Sequence, residues 1–257
     1  MKRSCLSAVA RRTIRLGQAR GFSLIEILLS LVLGLIVLAG IMQVYLSNQQ
    51  TTRYLRGMAN VQENGRFAVD LLARNLRMAG YDDPDTALDP VAAFAPTAPD
   101  TSGLFGIDGA SGAPDTLITR FEGGNNIRDC LGNLVAASTA VQNTFTVDAA
   151  TEELVCATRH SGSMTITTQP LATGIENLRV WYGEDTDGDL VANRYVTASG
   201  VGNWANVISL RMALLVNSEI EVLPQAGTAC LGCITFAPPA DRRLRGEFTT
   251  TVGLRNL

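Results

Sequence analysis

The sequence predicts an α+β protein in which one long N-terminal helix packs on an antiparallel β-sheet domain. Three observations predict this fold class. No proline occurs before Pro84, helical patterning is nearly absent after residue 80, and short runs of β-favouring residues follow from residue 116 onward. Because strands without intervening helices are joined by hairpins, we expect an antiparallel sheet.

Residues 1–21 form a basic leader. They carry six basic side chains and no acid, which leaves 15 basic against 24 acidic residues, a net charge of −9, for the remainder. The body of the protein therefore lacks the basic face that nucleic-acid binding needs, and we expect no nucleic acid at the globular domain. The basic residues are Lys2, Arg3, Arg11, Arg12, Arg15 and Arg20.

Residues 22–46 are predicted to form a membrane-spanning helix. Between Phe22 and Met42 the only polar side chains are Ser23, Glu26 and Ser30. Twenty-one helical residues cover about 31 Å, which matches the hydrocarbon thickness of a bilayer. The positive-inside rule keeps the leader in the cytoplasm. We therefore expect a single membrane span, with the rest of the chain outside the cytoplasm.

Glu26 needs a physical reason, because a carboxylate inside an apolar helix costs several kcal/mol unless it is protonated or paired. One reading is an acid near the interface that extends to the lipid headgroups. The other is a pairing partner supplied by another chain.

The segment Gly21-Phe22-Ser23-Leu24-Ile25-Glu26, after a basic leader and before a long apolar stretch, resembles the type IV prepilin cleavage and methylation signature. The resemblance implies that prepilin peptidase cuts after Gly21 and methylates the new N-terminal Phe22. It also implies that Glu26 assists assembly by neutralising the terminal amine of a neighbouring pilin. The resemblance further implies a single-pass protein of the bacterial inner membrane with its globular domain in the periplasm. The chain would then leave the inner membrane for a pilus at the cell surface.

Residues 47–80 are predicted to continue the helix with an amphipathic face that packs on the globular domain. Gly80 suits a C-terminal cap, and Asp82-Asp83-Pro84 is a stop signal for this helix. We expect residues 81–115 to form an irregular loop. The apolar or small residues that recur at three- and four-residue steps are Met58, Val61, Gly65, Ala68, Leu72, Leu76 and Ala79.

Residues 116–257 are predicted to form the β-rich head domain. The expected strands are Thr116–Phe121, Thr144–Val147, Leu154–Ala157, Met164–Ile166, Leu178–Tyr182, Val207–Val216 and Phe248–Leu254.

This part of the chain also resembles the PilW group of minor pilins, and the resemblance implies a pilin-like fold and other major and minor pilins as partners. A type II secretion pseudopilin and a membrane-anchored extracytoplasmic enzyme or binding protein remain alternatives. The features that carry the resemblance are Asp129-Cys130-Leu131-Gly132, Val180-Trp181-Tyr182-Gly183, Arg194-Tyr195-Val196, Trp204, the strand from Val207 and the ending from Phe248 to Asn256.

Four cysteines remain once Cys5 is removed with the leader. An even number in an oxidising compartment favours disulfides, here Cys130 with Cys156 and Cys230 with Cys233. A four-thiolate zinc site and a redox-active C-x-x-C are the rival interpretations.

Asp185, Asp187 and Asp189 alternate as the oxygen ligands of a calcium loop do. The match is partial, since Leu190 and Val196 stand where an EF-hand needs glycine and glutamate. A plain hairpin turn is the alternative, and no cofactor is required.

Two other polar features are interpreted as structural. His160 is expected in a surface loop, and the run from Arg242 to Arg245 is expected to be a solvated edge rather than a DNA- or surface-binding patch. With one histidine and no catalytic constellation, the chain is not predicted to be an enzyme.

Overall fold

The computed structural model describes residues 21–86, 88–94, 102–226, 229–232, 234–236 and 241–256, with only the backbone at 111, 229–230 and 234–236. The chain divides into two compact units, Met1–Gln49 and Gln50–Leu257. Residues 1–20 of the leader and Cys233 lie outside the described residues.

Helix α1 runs from Leu24 to Leu76. Ser23 directly precedes it, and the Ser23 carbonyl oxygen accepts the N–H of Glu26 at 3.0 Å and of Ile27 at 3.2 Å. The helix ends at Leu76, before its predicted end at residue 80. The tighter turn after Leu76 bonds the Ala79 N–H to the carbonyl three residues earlier, at 3.1 Å.

In the second unit, α1 buries a stripe of small and apolar residues. Val61, Ala68, Leu72 and Leu76 are all buried, which confirms the amphipathic prediction. Glycine at position 65 lets the helix backbone approach the ring of Phe248. The helix therefore packs closely on the sheet domain.

Five antiparallel strands form the first sheet in chain order. They are β1 (Leu104–Ile107), β2 (Thr116–Glu122), β3 (Ala140–Asp148), β4 (Glu153–His160) and β5 (Ile166–Thr173).

The second sheet has the order β11-β8-β6-β7 and is also antiparallel, as predicted. Its strands are β6 (Ile175–Glu184), β7 (Arg194–Val196), β8 (Val207–Glu221) and β11 (Arg243–Gly253). A separate hairpin pairs β9 (Ala229–Leu231) with β10 (Ile234–Phe236).

The expected loop over residues 81–115 contains one strand, β1, and the expected strand Met164–Ile166 is replaced by β5, which starts only at Ile166. Both departures have a tertiary cause. The four residues of β1 pair with β2, and β5 takes its register from β4 through a bulge at Leu154 and Val155. The sequence pattern of β1 or β5 alone does not show which strand it will pair with.

Both sheets and the buried stripe of α1 contribute to one hydrophobic core. The fully buried large side chains include Phe145, Leu154, Leu178 and Tyr182. Burial of this apolar area is the main stabilising contribution to the second unit.

Candidate functional site

The N-terminal part of α1 presents an apolar surface that the first unit leaves uncovered. Every residue from Gly21 to Arg53 is exposed, and Phe22 retains 77% of its accessible surface. Within this helix an 18-residue window has a mean hydropathy of 2.8 with no buried residue. A surface of this length and composition needs lipid or protein around it.

Glu26 lies in the first turn of α1. The helix dipole favours an acid at this end. Glu26 forms no ion pair within the described part of the chain. The Ser30 hydroxyl donates a hydrogen bond to the Ile27 carbonyl at 2.9 Å, so its polar group already has a partner within the helix. The Glu26 carboxylate is therefore the conspicuous polar group of the apolar stretch.

Gly21 and Phe22 precede the helix in extended or irregular backbone. A peptide bond outside regular structure is accessible to a peptidase, whereas a helical one is protected by its hydrogen bonds. The three residues predicted to act in processing and assembly thus occupy the start of α1 and the segment directly before it.

A disulfide joins Cys130 to Cys156, with Cα atoms 6.4 Å apart. It ties the loop between β2 and β3 to the middle of β4. For the second predicted pair, Cys233 and the side chain of Cys230 lie outside the described residues.

Asp129 organises the same loop from a fully buried position. Its Oδ1 accepts the N–H groups of Leu131 and Asn133, each at 2.9 Å, and its Oδ2 lies 3.3 Å from Nε2 of His160. The surface-loop prediction for His160 was wrong, because this residue ends β4 and pairs with Asp129. Sequence offered no signal for the pairing, since a single histidine has no spacing to interpret.

Ser163 lines the same small cavity as Asp129 and His160. Its hydroxyl accepts the N–H of Thr165 at 3.1 Å, and its backbone N–H donates to the His160 carbonyl at 3.1 Å. Among the described residues, no hydrogen bond joins the Ser163 hydroxyl to the His160 ring. The three side chains therefore do not form the hydrogen-bonded relay that nucleophilic catalysis requires.

The acidic turn between β6 and β7 brings carboxylate oxygens of Asp185, Asp187 and Asp189 within 4.8 Å of one another. Asp185 also builds the turn, because its carboxylate accepts N–H groups from Gly188 at 2.7 Å and Leu190 at 2.8 Å. Burial alone would raise the pKa of Asp185, but these backbone hydrogen bonds outweigh it and hold the pKa below its ordinary value.

Calcium and plain-turn interpretations both fit this geometry. Asp187 and Asp189 remain exposed, with lone pairs available to a cation. The hydrogen bonds of Asp185 are those of an ordinary Asx turn, which forms without any ion.

The basic run at the start of β11 is not a solvated edge throughout. Arg242 is half exposed and pairs with Glu221, whereas the side chain of Arg245 retains 4% of its accessible surface. The Arg245 guanidinium bonds Glu176 at 2.8 Å and Asp241 at 2.7 Å. Its hydrogen bond lowers the pKa of Asp241. These guanidinium groups are therefore bound to the protein's own carboxylates.

Comparison with known proteins places two regions of the chain in described families. Residues 17–42 match the Prokaryotic N-terminal methylation motif, and residues 139–256 match Type IV Pilus-assembly protein W. Among solved structures, a type IV-like pilin from Thermus thermophilus is similar at 19% identity with a TM-score of 0.48, over 76% of this chain and 95% of that one. No protein with a curated description matches the chain.

Proposed function

We propose that this chain, which matches the Prokaryotic N-terminal methylation motif and Type IV Pilus-assembly protein W, acts as a minor pilin that enters a pilus filament through residues 22–46. The observation that carries the proposal is an uncovered apolar helix with one acid in its first turn, which begins within the region that matches the methylation motif. Its role is assembly rather than catalysis. The filament it supports would serve twitching motility, adhesion or DNA uptake.

Processing comes first in this proposal. The prepilin resides in the inner membrane with its second unit in the periplasm, since the basic leader stays cytoplasmic. Prepilin peptidase removes residues 1–21 and methylates the amine of Phe22. Mass spectrometry of the mature N-terminus tests this step. A chain that retains its leader, or that begins beyond Met42, would contradict it.

Assembly then depends on charge. In a lone subunit, the carboxylate of Glu26 is held in hydrocarbon or at the headgroups, which is costly. In a filament, the methylated amine of Phe22 from a neighbouring subunit approaches that carboxylate, and the pair forms only in the correct axial register. Removing one partner of a buried ion pair costs on the order of 3–5 kcal/mol, because the other charge stays unpaired.

The deciding experiment compares Glu26→Ala and Glu26→Gln with Ser30→Ala, a matched polar substitution one helical turn away. We expect all three variants to be inserted and cleaved normally. Sheared pilus fractions should contain Ser30→Ala at the unchanged level and little of either Glu26 variant. If the helix were only an anchor for an enzyme or binding protein, removing Glu26 would ease insertion and leave function intact.

A further inference from the structure

A cleft of about 670 Å³ opens on the second sheet, on the face opposite to Phe248. This volume lies within the range of small-molecule sites. Strand register places Trp181 of β6, Arg211 of β8 and Thr251 of β11 in one row across the sheet. The other polar and aromatic residues of the described lining are Tyr195, Glu247, Thr249 and Thr250.

Arg211 is held in place by an aromatic ring. Its guanidinium carbon lies 4.9 Å from the centroid of the Tyr195 ring, and the Tyr195 hydroxyl hydrogen-bonds the Ser209 hydroxyl at 3.0 Å. Gly183 lies beneath that ring, and a Cβ there would collide with Ser209 and sit 3.0 Å from Tyr195 Cε1. Stacking fixes the guanidinium plane but leaves its N–H edge available for an acceptor.

Arg211 differs from the other arginines of the second sheet in having no carboxylate partner among the described residues. The others all form ion pairs, and they are Arg179, Arg194, Arg243 and Arg245. A positioned guanidinium inside a cleft is suited to bind a carboxylate bidentately. A ligand carboxylate can therefore pair with Arg211.

Trp181 gives the cleft an aromatic wall. It packs against Ala213, Leu215 and Leu231. Exposed Thr249 and Thr251 carry hydroxyls on the same face. Ring stacking suits the C–H face of a sugar, and threonine hydroxyls suit its hydroxyl groups.

Glu247 is the one acid in this lining, and one of its oxygens accepts the Gly232 N–H at 2.7 Å. That bond anchors the carboxylate at the edge of the cleft, where its other oxygen can accept a sugar hydroxyl. The net charge of −9 outside the leader opposes a polyanion such as nucleic acid. A single guanidinium instead suits a ligand with one carboxylate among neutral groups.

We propose that this cleft binds an acidic carbohydrate, with the sugar carboxylate on Arg211 and a pyranose ring against Trp181. This site goes beyond the proposed assembly role, which depends on α1 and not on the outer face of the second sheet.

The test uses the full chain in phosphocholine micelles, which contain no sugar headgroup. Three probes are titrated by calorimetry: cellobiouronic acid, its neutral counterpart cellobiose, and acetyl-glycyl-glycine, which offers a carboxylate without a sugar. The indole N–H signals of the two tryptophans in an NMR spectrum give a second readout. Trp181 lines the cleft, whereas Trp204 does not. The Trp204 ring packs instead against Phe105 and Tyr182, with ring centroids 5.0 Å and 4.8 Å from its own.

We expect cellobiouronic acid to bind and to shift the indole signal of Trp181 but not that of Trp204. Cellobiose should bind about tenfold more weakly or worse, as loss of a charge-assisted bidentate contact predicts. Arg211→Gln should abolish the preference for the acid, whereas Arg242→Gln, which changes an arginine outside this lining, should preserve it.

Three results would overturn the proposal. The first is no binding of cellobiouronic acid at millimolar concentration, and the second is equal binding of both disaccharides. The third is acetyl-glycyl-glycine binding as tightly as the acidic sugar, which would indicate a docking site for a peptide carboxylate instead. None of these outcomes bears on the filament experiment with Glu26.

Discussion

Replacing Gly65 by alanine should destabilise the second unit, although alanine is the better helix former. Gly65 lies on the buried stripe of α1, where a Cβ would approach Phe248 Cζ to 2.6 Å and two other ring carbons more closely still. The collision involves a ring fixed on β11 rather than the end of a flexible side chain.

The magnitude follows from two opposing effects. Alanine gains about 1 kcal/mol over glycine inside a helix. Overpacking of a core typically costs about 1–3 kcal/mol, and contact with three ring atoms places this case at the upper end. The net loss is then about 2 kcal/mol. For a domain of this size such a loss lowers the unfolding midpoint by about 4–8 °C.

Thermal unfolding of the full chain in micelles, followed by tryptophan fluorescence, measures this effect. The double variant Gly65→Ala with Phe248→Leu should be more stable than the sum of the single changes predicts, because the smaller side chain relieves the collision. A Gly65→Ala midpoint equal to or above that of the unchanged protein would refute the packing argument.

Three further predictions follow from the charged and cysteine residues. Arg245→Met should cost about 3–5 kcal/mol in unfolding free energy, because it removes the arginine that pairs with the buried carboxylate of Glu176, whereas Asp241 keeps its pair with Arg243. Arg242→Met should cost no more than about 1 kcal/mol, as an exposed pair does. Equal effects in denaturant titrations would contradict the burial difference. Non-reducing peptide mapping should recover Cys130 linked to Cys156, and free thiols at both positions would disprove the pairing. If the acidic turn binds calcium, the ion should stabilise the protein by about 2.7 kcal/mol at a hundredfold excess over its dissociation constant. Asp187→Asn should reduce that shift, whereas no shift at millimolar calcium would favour the plain turn.

The helix and most strands could be predicted because their signals are local. A proline-free chain with a three-to-four-residue apolar period predicts α1, and the β-favouring runs predict the long strands β2, β3, β6, β8 and β11. The strand β1 could not be predicted, since four residues show little periodicity and its pairing with β2 decides its conformation.

The candidate assembly site could be read from the sequence for the same reason. Gly21, Phe22 and Glu26 lie within six consecutive residues, so no tertiary knowledge is needed to bring them together. The Arg245 pair with Glu176 is different, because its partners are 69 positions apart and meet only when β6 and β11 reach the same sheet. The run of arginines therefore predicted a solvated edge, although the side chain of Arg245 is buried.

Strand pairing brings side chains from distant parts of the chain into rows across a sheet, and the pattern along one strand does not predict these rows. Burial alternates along β3 and β4, and Thr119, Asn143 and Thr158 lie in one register row on the buried face. Each has a side-chain polar atom without a hydrogen-bond partner among the described residues. The row separates the core cluster around Phe145 from the smaller one around Phe121. Alternation along a single strand predicts which positions face inward, but not that three polar ones will meet. The same limit hid the row of Trp181, Arg211 and Thr251, because its chemistry exists only after three distant strands have paired.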